Sequence, residues 1–207
     1  MTKFRILLVL LALLAIPLST LFLQTPGPAD PTMPPALLSA NQYYTHTTER
    51  EVKAPRLQVK KWLEQRRLVS FMEPTEGLPS VVSTTPISGN WGENGALRYA
   101  NLDDGNTAID LIIENRDPDL FHYQVFGFTA PSRFVINHIQ GRLEYSQNSD
   151  GVTTINWTYA IAPNGLLTGP VAGYVLRNTI MPFMEATMDR MATAANAELS
   201  GKTQADD

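Results

Sequence analysis

The sequence predicts an α+β domain in which a curved antiparallel sheet wraps around one long closing helix. Three observations carry that reading. A short Thr-rich strand is followed by a charged helix, five or six further runs of β-branched and aromatic residues are separated by turns, and the chain closes on a Met-rich amphipathic stretch. Such an arrangement leaves room for an apolar ligand between sheet and helix.

In chain order, the first segment concerns targeting rather than folding. Lys3 and Arg5 precede an apolar stretch over residues 6–23, interrupted by Pro17, Ser19 and Thr20, and its 18 residues are just enough to cross a bilayer as a helix. The basic flank predicts that this end stays in the cytoplasm and that the domain emerges on the other side. A cleaved signal peptide, which would leave a secreted or periplasmic protein, is the alternative. Its apolar region would be shorter, and Pro17-Leu18-Ser19-Thr20 makes a poor cleavage site, so residues 1–24 read as an uncleaved single-pass anchor. Pro26, Pro28, Pro31, Pro34 and Pro35 then predict an extended, solvated linker over 25–40 that holds the domain off the membrane. Residues 200–207 are small, polar and acidic and read as a disordered tail.

The folded domain is expected over 41–199. Residues 43–52 alternate polar with occasional apolar positions, as a half-exposed strand does. Pro55 suits the first position of a helix with an apolar stripe of Leu57, Val59, Trp62 and Leu63; the charged face of Lys60, Lys61, Glu64, Arg66 and Arg67 is expected in solvent. Strands follow over 81–88, 96–102, 107–115, 120–128, 134–146 and 153–162. Asp103-Asp104-Gly105, Arg116-Asp117-Pro118-Asp119 and Asn148-Ser149-Asp150-Gly151 supply the turns, with Gly or Asn where positive φ is wanted and Pro where φ is fixed. Short connections make consecutive strands antiparallel neighbours, so a meander is the simplest topology.

Some positions can be read at the level of side chains. If Asp103-Asp104-Gly105 closes a three-residue hairpin with Gly105 left-handed, counting outward from Leu102 opposite Asn106 places Arg98 directly across from Asp110. On a solvent face such a pair is worth about 0–1 kcal/mol. On the inner face it is a polar anchor in an apolar site, and alternation alone leaves both faces open. In the last strand Ile155, Trp157, Tyr159 and Ile161 share the face expected to look toward the closing helix. Residues 120–128 carry aromatics on both faces, Phe121 and Tyr123 against Phe126 and Phe128. The closing segment over 166–199 presents Val171, Val175, Met184, Met188, Met191 and Ala195 at helical spacing, either as ordinary core or as an adaptable pocket wall. Pro182 should kink or restart this helix, and Gly169 and Gly173 should loosen the part before it.

Composition narrows the function classes. At 207 residues and 43% hydrophobic, the chain suits one domain with appendages. A balance of 16 basic against 20 acidic residues offers no electrostatic footprint for nucleic acid and no polybasic patch for anionic lipid. The absence of cysteine excludes a disulfide framework, a thiolate zinc site and a cysteine nucleophile. His46, His122 and His138 fall singly on different strands, without metal-ligand spacing or an acidic partner nearby in sequence. Gly89, Gly92 and Gly95 lie between two strands and so do not form a dinucleotide loop; they suggest a flexible lid with Trp91 at its tip. No metal or cofactor is expected.

The run Gly92-Glu93-Asn94-Gly95-Ala96-Leu97-Arg98, then Leu102, Gly105, Asp110, the Arg116-Asp117-Pro118 turn, Tyr123, and Thr154-Ile155-Asn156-Trp157-Thr158-Tyr159, resembles the pattern of the SRPBCC superfamily. This is the START-related, polyketide cyclase/dehydrase and lipid-transport group, and the resemblance covers about residues 43–199. It implies a helix-grip fold, a seven-stranded antiparallel sheet around a C-terminal helix with a deep hydrophobic cavity. Arg98 stands where the family often has Arg, and Asp110 where an acidic residue, usually Glu, is common. Superfamily enzymes use a few polar cavity groups, for which the nearest candidates are Arg98, Asp110, His122 and Tyr123. His122 and Tyr123 are adjacent on one strand and must point to opposite faces, which weakens that reading.

The expectation is therefore a membrane-tethered domain that binds or transports a hydrophobic ligand, lipid-like or polycyclic, at the extracytoplasmic membrane surface. Its ligand-binding residues are expected to be Arg98, Asp110, Phe121, Tyr123, Trp157, Tyr159, Met184 and Met188, with no catalytic residue. A cyclase or dehydratase on an apolar substrate, and a non-catalytic envelope interaction module with a filled core, are the alternatives.

Overall fold

The computed structural model describes residues 30–73 and 78–199. The anchor expected over 1–24 and the tail over 200–207 lie outside the described residues, and no described helix is long and apolar enough to cross a membrane. The described chain runs β1 (Tyr44–Val52), α1 (Arg56–Arg66), β2 (Val81–Ser88), β3 (Leu97–Leu102), β4 (Thr107–Arg116), β5 (Leu120–Phe126), β6 (Ile136–Gln147) and β7 (Thr153–Pro163). It then enters a closing helix made of α2 (Gly169–Val175), a wide π turn (Leu176–Ile180) and α3 (Met181–Leu199).

The seven strands form one antiparallel sheet in the order β1-β7-β6-β5-β4-β3-β2. β2 to β7 are the expected meander, and β1 adds itself to the edge beside β7. Register shifts in β2, β4 and β6 bend the sheet locally. Gly105 takes φ +80° in the β3–β4 turn, and Leu102 N–H donates to the Asn106 carbonyl across it. That turn sets the register that pairs Arg98 with Asp110.

The closing helix runs along β1 and β7 and packs on α1 at its far end. Trp157, Ile155 and Ile161 of β7 meet Met184, Met188 and Met191 of α3, all fully buried. Each such aliphatic or thioether side chain contributes about 1.5–3 kcal/mol by leaving water. The π turn explains Pro182. Met181 N–H reaches back five residues to the Leu176 carbonyl, and the widened turn accommodates the proline ring, so the helix continues without a break. Gly169 and Gly173 serve close approach rather than looseness. A Cβ at Gly169 would sit 2.7 Å from the Tyr44 hydroxyl oxygen, and one at Gly173 would sit 3.0 Å from the Tyr44 ring, so the two glycines let Tyr44 of β1 lie flat against α2.

Two expectations about exposure are corrected. On α1 the buried positions are Val59, Lys60, Trp62 and Leu63, while Leu57 is 49% exposed. Lys60 is thus not part of a solvated face. Its ammonium lies over the Tyr145 ring, 5.8 Å from the centroid, and donates to Asn115 Oδ1 (2.9 Å) and to Asp117 in the β4–β5 turn. A long side chain with an apolar stem reaches polar partners across the core edge, which helical periodicity does not reveal. The Pro-rich linker is not wholly free of the domain either. Gln124 Nε2 donates to the Pro35 carbonyl (2.9 Å) and Leu38 N–H to the Tyr43 hydroxyl (2.9 Å), which fasten the stretch to the outer face of the sheet.

A polar seam fixes the helix to β1. Glu185 of α3 accepts from Thr48 (2.9 Å), Arg50 (2.8 Å) and the His46 ring (3.0 Å), and Arg50 also pairs with Asp189 (2.6 Å). His46 therefore does have an acidic partner, 139 residues away in sequence. Burial alone would raise the Glu185 pKa, but hydrogen bonds from Arg50, His46 and Thr48 outweigh it and hold the carboxyl below its ordinary 4.5. A depressed carboxylate stabilises the fold above its unfolded pKa and loses that contribution as pH falls through the folded value. Glu185→Gln is expected to cost at most about 1 kcal/mol at neutral pH, because the carboxylate is 41% exposed. In urea titrations repeated from pH 7 to pH 3, it should also flatten the loss of stability below about pH 4.5 that the parent chain shows.

Candidate functional site

The sheet is wider than the helix that covers it, and the inner face of β3, β4 and β5 carries the candidate site. Register places its members. Arg98 on β3 lies opposite Asp110 on β4, which lies opposite Val125 on β5. One step along, Ile112, Tyr123, Gly141 and Tyr159 form a row across β4, β5, β6 and β7. Ala96, Ala100 and Ala108 share this face on β3, β4 and the turn into β3, so the floor around the charged pair is built of small side chains.

Arg98 Nε donates to Asp110 Oδ2 at 2.8 Å, and the guanidinium carbon sits 3.3 Å from the centre of the Trp91 ring. The arginine is clamped between an acid and an aromatic plane, as its planar cation allows. Its Nε makes the ion pair, so both Nη groups are without a partner among the described residues. Trp91 begins a chain of rings. It touches Phe121 (6.2 Å between centroids), Phe121 touches Tyr123 (5.5 Å), Tyr123 touches Tyr159 (6.4 Å), and Tyr159 touches Trp157 (4.9 Å), which meets Phe183 of α3 (6.4 Å).

Gly141 makes the middle of that chain possible. The Tyr123 ring lies across the β6 backbone where a Cβ at 141 would overlap it, and this brings the Tyr123 hydroxyl within 3.3 Å of Tyr159, to which it donates. Burial raises the Tyr123 pKa well above 10 and pushes Tyr159 up to about 12, so both phenols are neutral donors at physiological pH. Burial also raises the Asp110 pKa, although Arg98 beside it acts in the opposite sense. Trp157 Nε1 lies near enough to the Tyr123 hydroxyl to favour its ionised form slightly but makes no hydrogen bond.

Of the eight residues expected at the site, Arg98, Asp110, Phe121, Tyr123 and Tyr159 come together on this face. Trp157 of β7 and Met184 and Met188 of α3 face one another between sheet and helix, with no surface open to solvent. His122 points to the outer face, where its ring meets Gln140 (2.9 Å), and it takes no part. The Gly-rich loop is pinned rather than free. Asn115 donates from its backbone to Asn94 Oδ1 (2.6 Å) and from Nδ2 to the Gly92 carbonyl (2.7 Å), which holds Trp91 over the rim at 40% exposure. Among the described residues no group of His, Asp or Glu could hold a metal ion. Gly141 was missed in the sequence, where a lone glycine inside a strand is the available signal.

The backbone is similar to those of Ara h 8.0201 and the ginseng major latex-like protein 151 from Panax ginseng. The first matches with TM-score 0.54 and 12% identity over 75% of this chain and 99% of its own. The second matches with TM-score 0.53 and 9% identity over 74% and 98%. The chain has a helix-grip fold, a seven-stranded antiparallel sheet closed by a long C-terminal helix. At these identities the likeness is one of fold. In sequence, no family profile matches the chain, and no curated protein does.

The Tyr123–Gly141–Tyr159 row is open to a direct test. Gly141→Ala should displace the Tyr123 ring and cost about 1–3 kcal/mol in chemical denaturation. Combined with Tyr123→Ala, which removes the overlap, the same substitution should cost clearly less than the sum of the two single changes.

Proposed function

We propose that this helix-grip domain binds a hydrophobic ligand, lipid-like or polycyclic, against the inner face of β3–β5 and β7, and does so at the extracytoplasmic face of a membrane to which its N-terminal segment tethers it. One observation carries the reading. A continuous row of rings, Trp91, Phe121, Tyr123 and Tyr159, lines a face that the closing helix leaves to other contacts, and Arg98 stands at its edge with two Nη groups that have no hydrogen-bond partner among the described residues. Flat aromatic faces offer apolar area at little entropic cost, and a single clamped arginine orients the polar end of what lies on them. Tyr123 donates its hydrogen to Tyr159, so the Tyr159 hydroxyl is the neutral donor of the pair. Trp157, Met184 and Met188 act behind this surface by fixing the wall on which Tyr159 is mounted.

A second reading, an enzyme of cyclase or dehydratase type, is favoured by the cluster of Asp110, Tyr123 and Tyr159, each shifted by burial. In it Tyr159 would donate to a substrate carbonyl, with Tyr123 donating in turn to Tyr159, and Asp110 would take a proton. Asp110 is held by Arg98, so this chemistry requires the substrate to displace the ion pair. Turnover lost in Asp110→Asn while binding is kept would favour it.

Binding is measured by titrating the chain with anilinonaphthalene sulfonate, an anionic aromatic probe. Arg98→Ala and Phe121→Ala should each weaken the affinity by about tenfold, equivalent to about 1.4 kcal/mol. Leu57→Ala, on the outer surface of α1, should leave it unchanged. Equal affinities in all four proteins would place the binding surface elsewhere.

A further inference from the structure

The end of the domain where β1 begins and β7 finishes carries a protruding apolar turn. Leu166 is 98% exposed and Leu167 94%, and on the helix that follows Tyr174 (62%) and Val171 (48%) continue the same apolar surface. Large apolar side chains this exposed and adjacent are unusual in a folded domain. Their presentation is built in. Asn164 N–H donates to the Val135 carbonyl (2.8 Å), its Nδ2 to the Arg133 carbonyl (3.0 Å), and Thr168 caps the turn through N–H and Oγ1 to the Gly165 carbonyl (3.3 and 2.9 Å). The two leucines stand on a braced apex.

Charge on this end is one-sided. The chain has 20 acidic residues, yet none lies in 31–48, 120–143 or 151–184, the segments that form the β1, β7, β6 and β5 side of this end. Arg133 and Arg177 are the charged residues in the loop before β6 and in the first part of the helix. Asp103 and Asp104 sit in the β3–β4 turn, toward the other edge of the sheet. The opposite end, by contrast, is crowded with ions around Lys60, Asp117, Arg66 and Glu198.

The chain also enters the domain here. Tyr44 at the start of β1 lies against Gly169 and Gly173, directly behind the turn, and Pro35 is held at Gln124, two residues from the end of β5. Between residue 23, where the apolar N-terminal stretch ends, and Pro35 the chain can extend at most about 40 Å. A membrane entered by that stretch therefore lies within reach of this end.

We infer that Leu166 and Leu167 insert into a lipid bilayer, with Val171 and Tyr174 at the interface and Arg177 beside the headgroups, so that the domain sits on the membrane by this end. A tip of two leucines suits penetration of an acyl layer, whereas a stable homodimer needs about 800 Å² of matched surface on each partner. Aromatic and basic side chains flanking an apolar tip are the arrangement that a membrane interface favours. The inference extends the tethered reading to a defined face, and the two fail differently.

Because the chain has no cysteine, Leu167→Cys and, as a control at the opposite end, Leu57→Cys each take a single nitrobenzoxadiazole label. The full chain is mixed with phosphatidylcholine vesicles and floated. The label at 167 should shift to the blue and be quenched by spin-labelled lipid, while the label at 57 keeps its aqueous spectrum. A chain that floats with its label at 167 still aqueous overturns the insertion and leaves the tether intact. A chain that does not float overturns both. A blue shift at 167 that grows with protein concentration in the absence of vesicles overturns lipid in favour of a second copy of the chain.

Discussion

The structure depends on the closing helix covering one edge of the sheet rather than its whole width. Trp157 and Ile155 on β7 give Met184, Met188 and Met191 a fully buried bed, and the Glu185 cluster holds the same helix to β1. Tyr44 lies against Gly169 and Gly173 and fixes where the helix begins. With the helix committed to β1 and β7, the inner face of β3, β4 and β5 is left for other contacts. That division separates the core that holds the fold from the face on which we place the ligand.

That face is itself ordered by packing rather than by an extended hydrogen-bond network. Tyr123 reaches Tyr159 because β6 has no side chain at Gly141, and Arg98 keeps its plane because Trp91 covers one side and Asp110 takes its Nε. Each ring is a neighbour of the next, so a flat ligand would meet a wall already formed. Preformed walls bind at lower entropic cost than surfaces that must order first. Burial keeps both phenols protonated, so the wall offers hydrogen to an acceptor and carries one cation at its rim.

Much of the fold was legible in the sequence because its signals are local. The turns at Gly105 and Gly151 mark hairpins through positive φ, alternation in β7 separates Trp157 and Tyr159 from Asn156 and Thr158, and counting from the Asp103 turn pairs Arg98 with Asp110. What escaped depends on distance in sequence. The partner of His46 comes from the last helix, Lys60 is buried because Asn115 and Asp117 come to meet it, and Gly169 and Gly173 answer to a tyrosine at the start of the chain. The face of the Arg98 pair could not be read from alternation in β3 alone. It follows from register carried across three further strands to Tyr159, whose place beside Trp157 identifies the inner side.

The central claim is that the inner face of this sheet holds an apolar molecule. Native mass spectrometry of the chain purified gently from its host, compared with its denatured mass, tests it most directly. The account predicts a discrete added mass that is lost on denaturation, and that is also lost from Arg98→Ala without unfolding the protein. A chain that carries no added mass and takes up none from a host lipid extract would contradict it.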